Sequence, residues 1–149
     1  MSRQPFYSRD YQKGKGRLDP LVEVKIVLNG KNKTLESYAD TGCISGLAIT
    51  KKQMAKEALD FGEKINDEPI RYALADGRIV CADHYMVDIE VGGETKKVRI
   101  AVVDPEIKLG VAKEEPDVAV LLGRGFFDNF DVEFLGINKR IAFFKSAKI

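Results

Sequence analysis

The chain has 149 residues, of which 44% are hydrophobic, enough for one compact domain with a short tail. Its 24 basic and 23 acidic residues give a formal net charge of +1, unlike a dedicated nucleic-acid-binding protein. No apolar run in the sequence approaches the roughly 18 to 20 successive residues that a membrane-spanning helix needs. The N-terminus has no apolar signal-peptide core, so we expect a soluble, cytoplasmic protein.

Metal and cofactor chemistry have little support in the sequence. One histidine and two cysteines are too few for a Cys/His zinc site within one chain. No glycine-rich phosphate-binding motif occurs. We therefore expect no metal and no cofactor, and any catalysis must come from carboxylates.

Residues 1–19 are predicted to form a flexible basic N-terminal arm. Residues 1–17 contain five basic residues and a single acidic one, Asp10, whereas the rest of the chain is net negative. The segment has no apolar periodicity, which is typical of a mobile terminus. A propeptide that the protein removes itself is a second interpretation. Residues 20–149 are predicted to form the folded domain.

The first half of that domain begins with a hairpin. Apolar residues alternate from Val22 to Leu28, which predicts a half-buried strand. Asn29-Gly30, followed by residues 31–33, predicts a turn into a return strand over 34–39. Thr50 and Gln53 are typical of a capping box and predict a helix over 51–60.

The second half is predicted to consist of short strands. Asp76-Gly77 between two strand-like runs indicates a hairpin, and Gly92-Gly93 indicates another. A loop is expected over 104–117, followed by a buried strand over 118–122, a helical turn at 126–130 and a last hairpin over 131–144. The sequence therefore predicts a mainly β, barrel-like fold with one or two short helices.

Asp40-Thr41-Gly42 directly follows a predicted strand, and Leu121-Leu122-Gly123-Arg124 lies about eighty residues further on. With a flap-like hairpin between them, this order resembles the retroviral-type (retropepsin-like) aspartic proteases. The resemblance covers about residues 20–144. It implies a small closed β-barrel-like protease fold with a flap hairpin.

The resemblance implies a homodimeric aspartic endopeptidase. Two carboxylates that share one proton activate a water for peptide hydrolysis, and this chain carries only one D-[ST]-G triplet. Asp40 would be the catalytic residue, and a second copy would supply its partner. Thr41 and Gly42 would form the active-site loop and dimer lock, and Leu122, Gly123 and Arg124 would support it. An extended peptide substrate would be covered by a flap of five residues: Ala73, Leu74, Ala75, Asp76 and Gly77.

The sequence departs from the family pattern beside the triplet. Ile44 stands where retroviral members often have an acid that pairs with the later arginine, which leaves the role of Arg124 open. Cys43 is interpreted as a small core residue, with an oxidation-sensitive thiol as the alternative. Apolar substrate pockets are expected near Leu47, Ile79 and Val103.

Two other functions stay open. The chain could be a catalytically silent dimerisation or peptide-binding module with the same fold. It could also bind nucleic acid through its basic arm, although the net-negative body argues against this, and we expect no nucleic-acid and no membrane partner. Structural roles are expected for His84, Asp128 and Asp131. The same holds for a set of phenylalanines assigned to the core and dimer contact: Phe126, Phe127, Phe130, Phe134, Phe143 and Phe144.

Overall fold

The structure is a computed structural model, and it describes residues 3–13, 18–73, 79–103 and 120–145. The described chain is mainly β, as the sequence predicts. The strands are β1 (Tyr7–Asp10), β2 (Gln12–Lys13), β3 (Leu18–Asp19), β4 (Leu21–Leu28), β5 (Lys31–Ala39), β6 (Leu47–Thr50), β7 (Ile70–Ala73), β8 (Ile79–Val91), β9 (Glu94–Val103), β10 (Val120–Leu122), β11 (Phe130–Leu135) and β12 (Arg140–Lys145). The helices are α1 (Lys51–Lys56) and α2 (Arg124–Phe127).

The largest sheet has seven strands in the order β4-β5-β10-β6-β9-β8-β7. Its first strand, β4, also pairs with β8, with Ile26 opposite Ile89. Most neighbours are antiparallel, but β10 runs parallel to β5 and β6 runs parallel to β9. A separate three-stranded sheet has the order β1-β12-β11.

Alternation along the strands builds the main core. Val22, Val24 and Ile26 of β4 are completely buried, whereas Glu23 between them is exposed. This period of two directs every second side chain to the same face of the sheet. Phe126 of α2 and Phe143 of β12 are also completely buried and join the same apolar cluster. The helix and the smaller sheet therefore cover the core that the larger sheet lines.

Two tight turns set the register of the hairpins. Asn29 and Gly30 have φ of 37° and 82°, and Leu28 pairs directly with Lys31. Positive φ at both central residues fits the twist of the adjoining strands. The return strand therefore begins at Lys31, three residues earlier than the sequence predicts. Gly92 and Gly93, with φ of 56° and 88°, make the predicted second turn, between β8 and β9.

Helix α1 begins where the sequence predicts and ends early. The Thr50 hydroxyl accepts a hydrogen bond from Gln53 N–H at 3.1 Å, as expected of a helix cap. The helix stops at Lys56 because Ala58 takes φ of 52° and Leu59 N–H bonds back to Met54 O at 3.0 Å. This is a Schellman-type ending, usually made by glycine. The prediction of a helix through residue 60 is wrong at that end.

The N-terminal segment contains regular structure where the sequence predicts a flexible arm. Strand β1 pairs with β12 over four residues, with Tyr7 opposite Phe143. Phe6 and Tyr7 pack against the main core, and Arg3 pairs with Asp131 at 2.8 Å. The arm prediction is therefore wrong for residues 7–10 and for the short strands β2 and β3. In β1 the half-buried Tyr7 and Arg9 alternate with the exposed Ser8 and Asp10, the period of a strand, although the segment is polar overall.

Neither α1 nor α2, the helices of the described segments, has the length or the apolar character required to cross a membrane. The flap tip, residues 74–77, and the predicted loop over 104–117 lie outside the described residues.

Candidate active site

The Asp40 loop joins β5 to β6, and β10 lies between these two strands. Leu122 of β10 pairs in parallel with Ala39 and antiparallel with Leu47, so it contacts both ends of the loop. Asp40 N–H donates to Leu122 O at 2.9 Å. The structure therefore brings the two sequence motifs together, with the Leu122-Gly123 segment directly against the Asp40 loop.

The side chain of Asp40 is positioned by the backbone that follows it. Its Oδ1 accepts a hydrogen bond from Gly42 N–H at 2.8 Å, and its carbonyl accepts one from Cys43 N–H at 3.1 Å. Asp40 is partly buried, while Thr41 and Gly42 are exposed. The carboxylate is thus held by a tight turn whose next two residues face solvent.

Gly123 allows the loop and β10 to meet. A Cβ at this position would lie 2.6 Å from Cys43 O and 2.8 Å from Cys43 Sγ, and closer still to Ser45 O. Real side chains do not tolerate such distances. Gly123 N–H donates to Gly46 O at 3.0 Å. The supporting role expected for Gly123 thus has a geometric basis.

Two further glycines brace the same loop, and sequence reasoning missed both. A Cβ on Gly125 would lie 2.6 Å from Gly46 N, and a Cβ on Gly46 would collide with the side chain of Val98. Gly46 N–H also donates to Arg99 O at 3.0 Å. Their positions in the sequence could have identified them, because Gly46 directly precedes β6 and Gly125 directly follows Gly123-Arg124.

Cys43 is partly buried beside Asp40, and its Sγ lies 3.8 Å from Ser45 O. Burial, and secondarily the Asp40 carboxylate, raise the pKa of the Cys43 thiol to about 11. The thiolate is the reactive form of cysteine, so this thiol is a poor nucleophile and a poor target for oxidants at neutral pH. The environment favours the packing interpretation over an oxidation-sensitive switch.

Ile44 and Arg124 both face solvent. Ile44 is 69% exposed, and its carbonyl accepts a hydrogen bond from Gly125 N–H at 3.1 Å. Arg124 N–H donates to Cys43 O at 2.8 Å. Across the described segments its guanidinium makes no ion pair. Arg124 therefore supports the loop through its backbone.

The residues expected near substrate pockets differ in exposure. Leu47 is completely buried in the main core and Val103 is 6% exposed, so neither presents a free apolar surface. Ile79, at the start of β8, is 51% exposed and pairs with Ala73 of β7. Of the predicted flap, only Ala73 lies within the described residues, at the end of its strand.

His84 is buried away from solvent and stands apart from the Asp40 loop in the hydrogen-bond pattern. Its backbone N–H donates to Asn66 Oδ1 at 2.7 Å, and its carbonyl accepts from Ile65 N–H at 2.8 Å. Burial, with the nearby charge of Arg99, lowers the pKa of His84, and Asp83 partly opposes this. These contacts fit the structural role expected for this residue.

The other residues assigned structural roles show the following positions. Asp128 caps the C-terminal end of α2, and Asp131 pairs with Arg3. Of the six phenylalanines, Phe126, Phe127 and Phe143 are buried, whereas Phe134 is 38% exposed.

The described segments hold no group of three or more His, Cys, Asp or Glu side chains placed to bind a metal ion. Chemically, the site offers one partly buried carboxylate that a hydrogen bond from Gly42 N–H holds in position. Comparison with models of known protein families gave no match, and comparison with curated proteins gave none.

Proposed function

We propose that this chain is one half of a homodimeric aspartic endopeptidase, with Asp40 and its symmetry mate forming the catalytic pair. The observation that carries the proposal is the insertion of β10 between β5 and β6, with Asp40 N–H bonded to Leu122 O. Asp40 and the glycine-containing motif, about eighty residues apart in sequence, are thus parts of one structural unit. Such a unit places a carboxylate at a fixed point.

The strand pairing supports the fold that the proposal needs. Starting from β4, the pairings run through β5, β10, β6, β9 and β8, and β8 pairs with β4 again. A circuit of this kind fits a small closed β-barrel of the retropepsin-like type. The Asp40 loop leaves this circuit between β5 and β6 and carries exposed Thr41 and Gly42.

The proposed reaction uses two carboxyl groups and one water. Two carboxylates about 3 Å apart cannot both be ionised, so the pair holds one proton. The ionised carboxylate takes a proton from the water while the oxygen of the water attacks the peptide carbonyl carbon. The other carboxyl group donates its proton to the carbonyl oxygen. Collapse of the tetrahedral intermediate breaks the C–N bond: one hydroxyl proton returns to the ionised carboxylate, and the other carboxyl group protonates the leaving amine, so the pair again holds one proton.

Dimerisation is therefore a chemical requirement of the proposal. A twofold axis beside Asp40 makes each copy present the same surface, including Thr41 and Gly42. Both residues are exposed in the single chain, which leaves them accessible to a second copy. Gly42 brings no side chain into that approach.

A second candidate function is a catalytically silent peptide-binding or dimerisation module of the same fold. It is favoured by the apolar Ile44, four residues after Asp40 in sequence, and by an Arg124 side chain that makes no ion pair within the described segments. The backbone bonds of both residues still brace the loop, but Ile44 replaces the acid that often pairs with the arginine in the family pattern. This candidate predicts peptide binding without turnover.

The test is peptide cleavage by the wild-type chain and by Asp40→Asn, which keeps the size of the side chain and removes the carboxylate. We expect the wild type to cleave peptides with apolar residues around the cut bond, most actively at mildly acidic pH. Asp40→Asn should lower kcat by at least about 10³-fold, because general acid–base catalysis is lost at both positions of the dimer.

Asp128→Asn is the matched control, since this exposed acid lies at the end of α2 and should leave kcat unchanged. Retention of cleavage by Asp40→Asn would refute the endopeptidase proposal. Binding of peptides by a wild-type dimer that never cleaves them would establish the second function instead.

A further inference from the structure

The segment that precedes β7 is bonded to β8 at a single residue, His84. We call residues 62–69 of this segment the strap. Ile65 N–H donates to His84 O at 2.8 Å, and His84 N–H donates to the side-chain oxygen of Asn66, Oδ1, at 2.7 Å. The strap therefore satisfies both backbone polar groups of one residue in the middle of β8.

The strap bonds to β8 between two of its strand partners. Strand β9 occupies one edge of β8 along Ala82–Val91. On the other edge, β8 pairs with β7 over Ile79–Ala82 and with β4 from Asp88 to Glu90. His84 lies between these two stretches, so the strap supplies the hydrogen bonds at a position that neither β7 nor β4 reaches.

Strand β8 also changes its buried face at this position. Val80 and Ala82 are buried before His84, and Val87 and Ile89 are buried after it. Successive side chains of a strand point to opposite faces, so the even-numbered and odd-numbered pairs face different layers. The two pairs belong to separate apolar clusters. The strap is thus attached at a junction between clusters.

The strap is weakly attached compared with the strands around it. Within it, Asn66 is half-buried and the other residues are exposed, Ile65 by 50%. A segment with few buried apolar contacts and solvent-exposed hydrogen bonds opens locally far more often than the whole domain unfolds. The ladder between β8 and β9 is continuous along Ala82–Val91, so release of the strap is the easiest way to open the structure at His84.

The surroundings of His84 disfavour its charged form. The residue is completely buried. Burial, with the charge of Arg99 on β9, lowers the pKa of His84, and Asp83 on β8 partly opposes this. From the strap, Lys64 Nζ lies 3.9 Å and Asn66 Nδ2 lies 3.3 Å from Oδ1 of Asp83. An imidazolium is therefore less stable with the strap in place than in water.

We propose that the strap is an acid-sensitive latch, in which protonation of His84 releases Ile65 and Asn66 from β8. With the strap released, the imidazole reaches solvent and takes up a proton near the ordinary histidine pKa of about 6.5. The closed form takes up this proton only at lower pH, so closure is favoured above about pH 6.5 and is lost as the pH falls below it.

Release of the strap frees the edge of β8 between its pairings with β7 and β4. The end of the β7–β8 ladder nearest the strap, where Ile70 pairs with Ala82, then loses its neighbouring attachment. The latch therefore makes this edge of the large sheet looser in acid. Its operation does not depend on catalysis at Asp40.

Hydrogen exchange of the Ile65 amide measures the latch, because this N–H is bonded to His84 O when the strap is closed. Exchange is followed by NMR on the full-length wild type at pH 7 and pH 5, and the rates are corrected for the intrinsic effect of pH. Proton linkage to one histidine can raise the opening constant by at most about 25-fold over this range. We expect a rise of about 5-fold or more that low urea leaves unchanged, because local opening exposes little surface.

Two variants separate the proton from the strap contacts. His84→Gln cannot take up a proton, so it should abolish the pH dependence of Ile65 exchange. Asn66→Ala removes one of the two bonds to His84 and should speed Ile65 exchange at pH 7 by about 5-fold. Asn32→Ala is the matched control for Asn66→Ala, since Asn32 is exposed on β5, and it should leave the rate unchanged.

Equal corrected rates for Ile65 at pH 7 and pH 5 in the wild type would overturn the latch. A rise that depends on urea as steeply as exchange of the Asp40 amide would also overturn it, because Ile65 would then exchange only through unfolding of the whole domain. These two comparisons need no variant, so they decide the question even if His84→Gln fails to fold. A folded His84→Gln that keeps the pH dependence would assign it to another group and reject the latch.

Discussion

Gly123 shows how a single missing side chain positions the candidate centre. Its φ of −124° suits any residue, so the requirement for glycine is one of space. The Cβ of an alanine would meet Cys43 O at 2.6 Å and Cys43 Sγ at 2.8 Å. Backbone atoms of the loop would have to move, and Asp40 N–H would lose its alignment with Leu122 O.

We expect Gly123→Ala to lower the free energy of unfolding by about 1 to 3 kcal/mol, the usual cost of forcing extra volume into a packed site. Urea denaturation measures this loss. Gly136→Ala is the matched control, because nothing lies within 4 Å of a Cβ there, and its effect should stay within about 0.5 kcal/mol. Equal stability of the two variants would mean that the loop does not pack on Gly123 in solution.

At the scale of elements, strand β1 closes the core from the N-terminal side. The ring of Phe6 lies 4.9 Å from that of Phe130 and 6.1 Å from that of Phe143, between centroids. Phe6 N–H donates to Phe143 O at 2.9 Å. The segment is therefore part of the folded domain, which argues against a propeptide that is removed at residue 10 or beyond.

We expect Phe6→Ala to lower the free energy of unfolding by about 2 kcal/mol, less than the ~3–5 kcal/mol of a fully buried phenylalanine because Phe6 is only partly buried. Ser8→Ala, on the exposed side of the adjoining strand β1, should change it little. Thermal or urea unfolding of the two variants provides the comparison. A protein lacking residues 1–10 that unfolds like the full chain would contradict the role of β1.

The sequence predicted those elements whose local signals agree with their environment. Val22, Val24 and Ile26 alternate because one face of β4 is buried, and Asn29-Gly30 makes the turn that its residue types favour. The sequence did not predict β1, because this strand pairs with β12, about 130 residues away. Such a distant pairing produces no pattern within the segment itself. Composition alone marks that segment as a polar tail.

The candidate site was predictable in part for a similar reason. Asp40-Thr41-Gly42 and Gly123 are short motifs that can be read locally. The contacts of Gly46 with Val98 and of Gly125 with Gly46 are set by how α2 and β9 pack on the loop. Tertiary packing of this kind has no signature within any one segment.

At the scale of the whole molecule, the proposed chemistry and the stability of the fold set opposite demands on pH. A carboxyl pair that shares one proton works on the acidic side of neutrality. His84 is completely buried, and burial together with Arg99 lowers its pKa. The folded state therefore resists the protonation of His84 that acidic solution imposes on the unfolded chain.

The sign of the effect follows from proton linkage. The unfolded chain binds a proton at the ordinary histidine pKa near 6.5, whereas the folded chain binds it only at lower pH. The contribution of His84 to stability is thus fully present above about pH 6.5 and is lost as the pH falls toward the lowered pKa. The acidic range that would favour the proposed catalysis therefore overlaps the range in which His84 makes the fold less stable.

We expect the midpoint of thermal unfolding to fall as the pH is lowered from 7 to 5, with the His84 resonance titrating below pH 6.5 in NMR spectra. The assignment is unambiguous because the chain has one histidine.

Arg99→Gln removes an exposed positive charge that lowers the pKa of His84. This variant should therefore move the His84 titration to higher pH and reduce the loss of stability at acidic pH. Asp83→Asn should act in the opposite direction, because Asp83 raises the pKa of His84. A His84 resonance that titrates at or above the ordinary histidine pKa would contradict this prediction. It would show that burial of His84 does not lower the stability of the folded protein at acidic pH.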